Sequence, residues 1–165
     1  MKKSKLAVRN LHEGKIAELA EKTDHKTLVT WALDCAERVL PYIEGRHRED
    51  KRPRAAIETG RAWVKTGIFK MAVIRKAALD SHSAAREVED DDPARSAARA
   101  AGQAVATAHV RTHALAAAAY AATAVRDVAC PANADDAVII EREWQYHHLA
   151  ELVRMNRKGR KEKGT

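Results

Sequence analysis

The sequence predicts an all-α protein, a compact bundle of five or six helices around one long alanine-rich helix. Three observations predict it. Sixteen of the thirty-two residues from Ala94 to Val125 are alanine, with Gly102 the single glycine and no proline after Pro93. Alanine is the best helix former and the smallest side chain a helix can bury. The stretch therefore reads as one helix, roughly 48 Å long if unbroken, whose neighbours come close to it. Strand-favouring residues are scarce, with aromatics only 4% of the chain. No useful length of the sequence alternates with period two.

The elements follow in order. A short helix covers Glu13 to Lys22, with Ile16, Leu19 and Ala20 on one face. Asp24 suits the N-cap of the next helix, from about His25 to Glu44. Leu28, Ala32, Cys35, Val39 and Ile43 form its stripe, Val29, Ala36 and Leu40 widen it, and Trp31 stands at the edge. Pro41 is placed to kink its last turn. Gly45 to Arg52 is a charged turn, and Pro53 opens a helix to about Lys65. Ala56, Gly60 and Trp63 share its face, with Ile57 and Val64 beside them; Gly67 stops it. The chain restarts near Ile68 and runs to about Glu87, with Met71, Ala72, Ala78, Leu79, His82 and Ala85 as its apolar face. The acidic run Glu89–Asp92 ends at Pro93, so Asp92 reads as the N-cap of the alanine helix, which extends to about Asp127. Carboxylates suit the positive end of that helix, and the run is also a candidate patch for a basic partner. Cys130–Asn133 is a turn, and Asn133 or Asp135 caps a last helix from about Asp136 to Met155. Val138, Ile139, Trp144, Leu149, Leu152 and Val153 are its expected buried residues, and it frays into a basic tail.

A chain of 165 residues fits one domain with a core of its own. The reading divides it into a basic arm (1–12), a helical bundle (13–155) and a basic tail (156–165). The formal charge of +7 is concentrated at the ends: residues 1–5 carry +3 and residues 154–165 carry +5, leaving −1 for the body. Such ends bind polyanions weakly by counterion release, or serve only solubility. Cys35 lies in an apolar stripe and Cys130 in a loop, which gives no disulfide framework. No apolar run approaches the roughly 20 residues that span a bilayer, and the basic start lacks the apolar core of a signal peptide. A cytoplasmic protein with no membrane partner is expected.

Chemistry has few places to reside. His109 and His113 stand four apart on one helix face, with Ala98, Gly102 and Val105 upstream and Ala116 and Tyr120 downstream; His82 sits on another apolar face. Two such histidines suit zinc given further ligands. But Val110 follows His109 where a zincin motif needs glutamate, and the paired Glu-x-x-His motifs of di-iron bundles are missing. No metal and no cofactor are expected; the histidines read better as hydrogen-bonding struts between close helices. Glu58 and Arg61 form an i, i+3 pair beside Arg54, worth a few tenths of a kcal/mol if exposed. Buried near His82 or His109, and joined by Arg99, the pair would anchor a polar network. The sequence has no Gly-x-Ser-x-Gly, no phosphate-cradling glycine loop and no Cys–His arrangement, so no catalytic residues are assigned.

Several strings taken in order carry a resemblance: His25 through Glu44, then Arg52-Pro-Arg-Ala-Ala-Ile-Glu58 with Arg61-Ala-Trp63, then Ala77-Ala-Leu-Asp-Ser-His82, then Ala100-Ala-Gly-Gln-Ala-Val-Ala-Thr-Ala-His109 with His113. Over roughly residues 25–125 the chain resembles the immunity-protein-five-like family of bacterial polymorphic toxin systems. The matching positions are Trp31, Glu37, Arg52, Pro53, Arg54, Glu58, Arg61, Trp63, His82, Gly102, His109 and His113. The resemblance implies an α-helical, non-enzymatic protein that binds and neutralises a cognate protein toxin. Candidate binding residues are then Arg54, Glu58, Arg61, His82, Arg99, His109 and His113, which helical spacing makes equally members of a structural network. The alternative is a nucleic-acid-associated protein acting through Lys2, Lys3, Lys5, Arg157, Lys158, Arg160 and Lys161. A metal-dependent enzyme centred on His82, His109 and His113 ranks third. The sequence leaves the oligomeric state open.

Overall fold

The structure, a computed structural model, describes residues 11–162. Helices are the regular structure of these residues, with no strand among them. The helices are α1 (Leu11–Lys22), α2 (His25–Val39), the single turn α3 (Pro41–Glu44), α4 (Arg52–Thr66), α5 (Met71–Glu87), α6 (Asp92–Ala106), α7 (His113–Val128) and α8 (Ala134–Glu162), with a 3₁₀ turn at Pro131–Asn133. Seven of them have twelve residues or more, against the five or six expected.

Local chemistry sets most boundaries where the sequence places them. Asp24 caps α2 by accepting from the Thr27 N–H at 3.1 Å. Pro41 has no N–H to continue α2, so the chain breaks at Leu40 and makes one further turn. Pro53 lies in the first turn of α4, and Gly67 ends that helix at φ 69°, a left-handed conformation that suits glycine. The acidic run caps α6 one residue earlier than expected. Asp91, not Asp92, accepts from the Ala94 N–H through Oδ1, which also accepts from Arg46, while His47 holds Oδ2.

The principal correction concerns the alanine-rich stretch. It is two helices, α6 and α7, folded against each other around a turn at residues 107–112. Alanine favours helix at every position, so tertiary partners decide where the chain turns. The Thr107 N–H is shared between the carbonyls of Gln103 and Ala104, and its own carbonyl accepts from His25 Nε2 at 2.7 Å. Arg111 donates to the end of α1, at Ala20 O (3.2 Å) and Thr23 O (2.6 Å). Doubling back lets both alanine faces be buried. Ala97, Ala98, Ala100, Ala101, Ala104, Ala114, Ala117, Ala118 and Ala121 are all fully buried. The longest helix is instead α8, with 29 residues. It starts at Ala134 with Asp135 and Asp136 in its first turn, and runs past Met155 to Glu162.

Three expected faces are also corrected. Trp31 is completely buried, and its indole N–H donates to Gln145 O at 2.8 Å. The inner face of α5 is Ile74, Ala78, Ser81, Ala84 and Ala85, whereas Met71, Ala72 and Leu79 are exposed. Ile139 is exposed as well. The free Cys35 thiol is buried, which raises its pKa well above the usual range, and Cys130 is exposed. No helix among the described residues is long and apolar enough to cross a membrane.

Candidate functional site

The candidate residues fall into separate places. The first is an ion-paired belt over α2, α3, α4 and α8. Arg61 on α4 reaches across to α2, at 2.6 Å from Asp34 and 2.5 Å from Glu37. Burial opposes its charge, but the hydrogen bonds to Glu37 and Asp34 outweigh it and raise the pKa. Arg54 forks onto Glu44 with two 2.8 Å bonds and approaches Glu37 at 3.4 Å. That hydrogen bonding holds the Glu44 carboxyl below its usual range. The expected Glu58–Arg61 pair does not form: both arginines turn toward α2 and α3, and Glu58 is left exposed.

The belt continues into α8. His148 Nε2 donates to Asp34 Oδ2 at 2.6 Å, and its ring stacks on Trp144 with centroids 4.7 Å apart. The Arg38 guanidinium covers the same indole at 3.8 Å and donates to both oxygens of Glu141. Glu141 and Arg142 are almost wholly buried. Between them Gln145 donates to Glu141 Oε1 and Ala118 O and accepts from Arg142 Nη1, so the buried polar atoms are satisfied. Burial lowers the pKa of Arg142. An open groove of about 450 Å³ lies over this belt, lined by Asp34, Glu37, Arg38, Trp144 and His148.

The second place is the α5–α6–α7 seam. His82 presses on Gly102, where an added Cβ would lie 2.8 Å from His82 Cε1. One residue earlier, Ser81 donates to Ala98 O at 2.8 Å. His82 Nδ1 is buried with no hydrogen-bond partner. Burial, reinforced by the charges of Arg99, Arg86 and His113, lowers the His82 pKa to about 4, so the ring is neutral at pH 7. His113 crosses the hairpin to donate from Nδ1 to Gln103 Oε1 at 2.6 Å. His109 departs from the expected strut role: it is exposed on the turn, because the break after Ala106 moves it off the inner face. His82 and His113 thus meet neighbouring residues of α6, while the Arg54–Arg61 belt stands apart from them. Among the described residues no group of three or more His, Cys, Asp or Glu is arranged to hold a metal ion.

The third place is the end of α8. Arg154, Arg157, Lys158 and Lys161 flank a groove of about 320 Å³ floored by Leu19, Ala150 and Val153. Lys2, Lys3, Lys5 and the Arg160 side chain lie outside the described residues.

The family model described as "Imm-5 like putative immunity protein" matches residues 18–152, from within α1 to the middle of α8. The chain belongs to this family. No curated protein and no solved structure matches it. Within this Imm-5-like chain the motif strings map onto helix contacts. Trp31 bonds α8, Arg54 and Arg61 bond α3 and α2, Arg52 joins Asp50 to Glu87, and Gly102 admits His82.

Sequence reasoning missed most of the belt's partners: Asp34, Arg38, Glu44, Glu141, Arg142, Trp144, Gln145 and His148. A signal was present. Glu141, Trp144, Gln145 and His148 stand at i, i+3, i+4 and i+7, one face of a helix. Asp34, Glu37 and Arg38 repeat the same spacing beside the apolar stripe of α2.

Proposed function

We propose that the protein is a non-enzymatic immunity protein that neutralises a cognate protein toxin by tight one-to-one binding in the cytoplasm. The observation that carries this reading is the family match across residues 18–152, which takes in nearly the whole helical body. In this reading Arg54, Arg61, His82 and His113 fix the helices in register, Arg99, which makes no side-chain bond among the described residues, places its charge near His82, and the exposed Glu58 and His109 are free to meet the toxin. The helical bundle is the binding unit, with the basic arm and tail as accessories. The test is co-expression with each product of the neighbouring genes that arrests growth, together with calorimetric titration of the two purified proteins. Growth rescue and a 1:1 endpoint support the reading; neither rescue nor binding overturns it.

The basic groove of α8 favours a second reading, attachment to nucleic acid. Lys158→Gln with Lys161→Gln would then weaken binding to a short duplex, and affinity would fall steeply with salt. Equal binding by this variant and the parent protein eliminates it.

A further inference from the structure

The corner between α4 and α5 presents an apolar surface that the fold does not use. Four of the six residues from 68 to 73 are large, apolar and exposed: Ile68 at 65%, Phe69 at 44%, Met71 at 38% and Val73 at 50%. Leu79, two turns after Met71 on the same ridge, is 58% exposed. Single exposed apolar residues are ordinary, but a cluster of this kind marks a contact surface. The core does not need these side chains, because α5 packs through Ile74, Ala78, Ser81, Ala84 and Ala85.

Along the chain through the corner, between Glu58 and Asp80, the charge is of one sign. From Thr59 to Leu79 the chain has no Asp or Glu. Within that span Arg61 is turned away to Asp34 and Glu37, and Lys76 pairs with Asp80 at 2.5 Å. Lys65, Lys70 and Arg75 are exposed and make no ion pair among the described residues. An apolar centre inside a polar rim is the anatomy of a protein interface, and here the rim is positive.

The same facts select the occupant. A second copy of this chain would set like charges against each other across the contact, which costs energy. A bilayer surface needs one continuous apolar face. Met71 and Val73, two residues apart on a helix, point to opposite flanks of α5, and its inner side is already taken by the core. A concave protein surface can receive both flanks together with the loop.

We propose that the α4–α5 corner, with Phe69 at its centre and Lys65, Lys70 and Arg75 around it, is the toxin-docking surface, inserting into an apolar cleft rimmed by Asp and Glu. This rests on the immunity reading above. Phe69→Glu with Lys70→Glu tests it against the purified growth-arresting neighbour that the co-expression identifies. Affinity falls by at least about tenfold, while the melting temperature stays that of the parent protein, since both side chains are exposed and glutamate suits the start of α5. If that variant does not fold, Lys65→Glu with Arg75→Glu carries the test with the apolar centre intact. Parent-like affinity in a folded variant overturns the surface while leaving the immunity reading standing. A parent protein that neither binds nor rescues overturns both. Dimerisation in sedimentation, or binding to phosphatidylserine vesicles, that disappears in the same variant with toxin affinity unchanged also overturns it.

Discussion

The two sides of the bundle are specified by different physics. On one side, α6 packs against α5 and α7 through alanine, serine and Gly102, with the Ser81–Ala98 and His113–Gln103 bonds as additions, so shape does most to set their register. On the other, α2, α4 and α8 are joined by Arg61–Asp34, Arg38–Glu141 and His148–Asp34, so directional bonds set it. Small residues specify an interface by what cannot fit between the helices. Ion pairs specify it by what must face what. The difference teaches that charged motif positions in an Imm-5-like chain have helix-registering work available to them, and that a binding surface need not coincide with them.

The largest expected effect is on the bonded side. Glu141→Ala removes the buried carboxylate that accepts from Arg38 and Gln145, and with it one of the negative charges that offset the buried Arg142. The expected loss is about 3–5 kcal/mol, read by urea unfolding. A loss below about 1 kcal/mol would mean that the belt is ornamental.

On the packed side, Ala101→Leu forces a larger side chain into a fully buried seam. It should cost about 1–3 kcal/mol, which lowers the melting temperature by roughly 2–4 °C per kcal/mol in a chain of this size. An unchanged melt would contradict close approach of α6 to its neighbours.

Acid separates the two sides further. The folded His82 pKa is about 4 against 6.5 for a free ring, so between these values the unfolded chain binds the proton and the folded one does not. Stability from the packed side is therefore full above pH 6.5 and is lost as pH falls from 6.5 toward 4. Glu44, whose pKa is lowered from 4.5, holds its contribution above that value and loses it only at lower pH. Unfolding at pH 7 and pH 5 should show a slope that His82→Asn reduces; the same slope in both proteins would refute the assignment. A smaller effect is expected at Arg61. Arg61→Ala should cost about 1 kcal/mol in low salt and less in high salt, because the pair is partly exposed and screened.

Local chemistry made much of this fold readable in the sequence. Asp24 acts on the N–H three residues on, and Pro41, Pro53 and Gly67 through their own backbones, so their effects stay where they stand in the chain. The turn after Ala106 was not readable, since alanine favours helix on both sides of it and the deciding bonds come from His25 and Arg111. The inner face of α5 was misread for a related reason. Hydrophobic size pointed to Met71 and Leu79, but α5 meets α6 through small side chains such as Ser81 and Ala85, and through His82 where Gly102 makes room for its ring. At the candidate site, Arg54 and Arg61 were legible as a charged pair of positions, whereas Asp34, Glu141 and His148 become their network only when α8 folds across α2.

The most direct measurement is the toxin affinity of Arg61→Ala, titrated at a temperature where the variant is fully folded. If Arg61 holds helices in register and the toxin docks elsewhere, the affinity equals that of the parent protein although stability has fallen. A folded Arg61→Ala protein that has lost toxin binding would contradict the account and put the ion-paired belt itself in the interface.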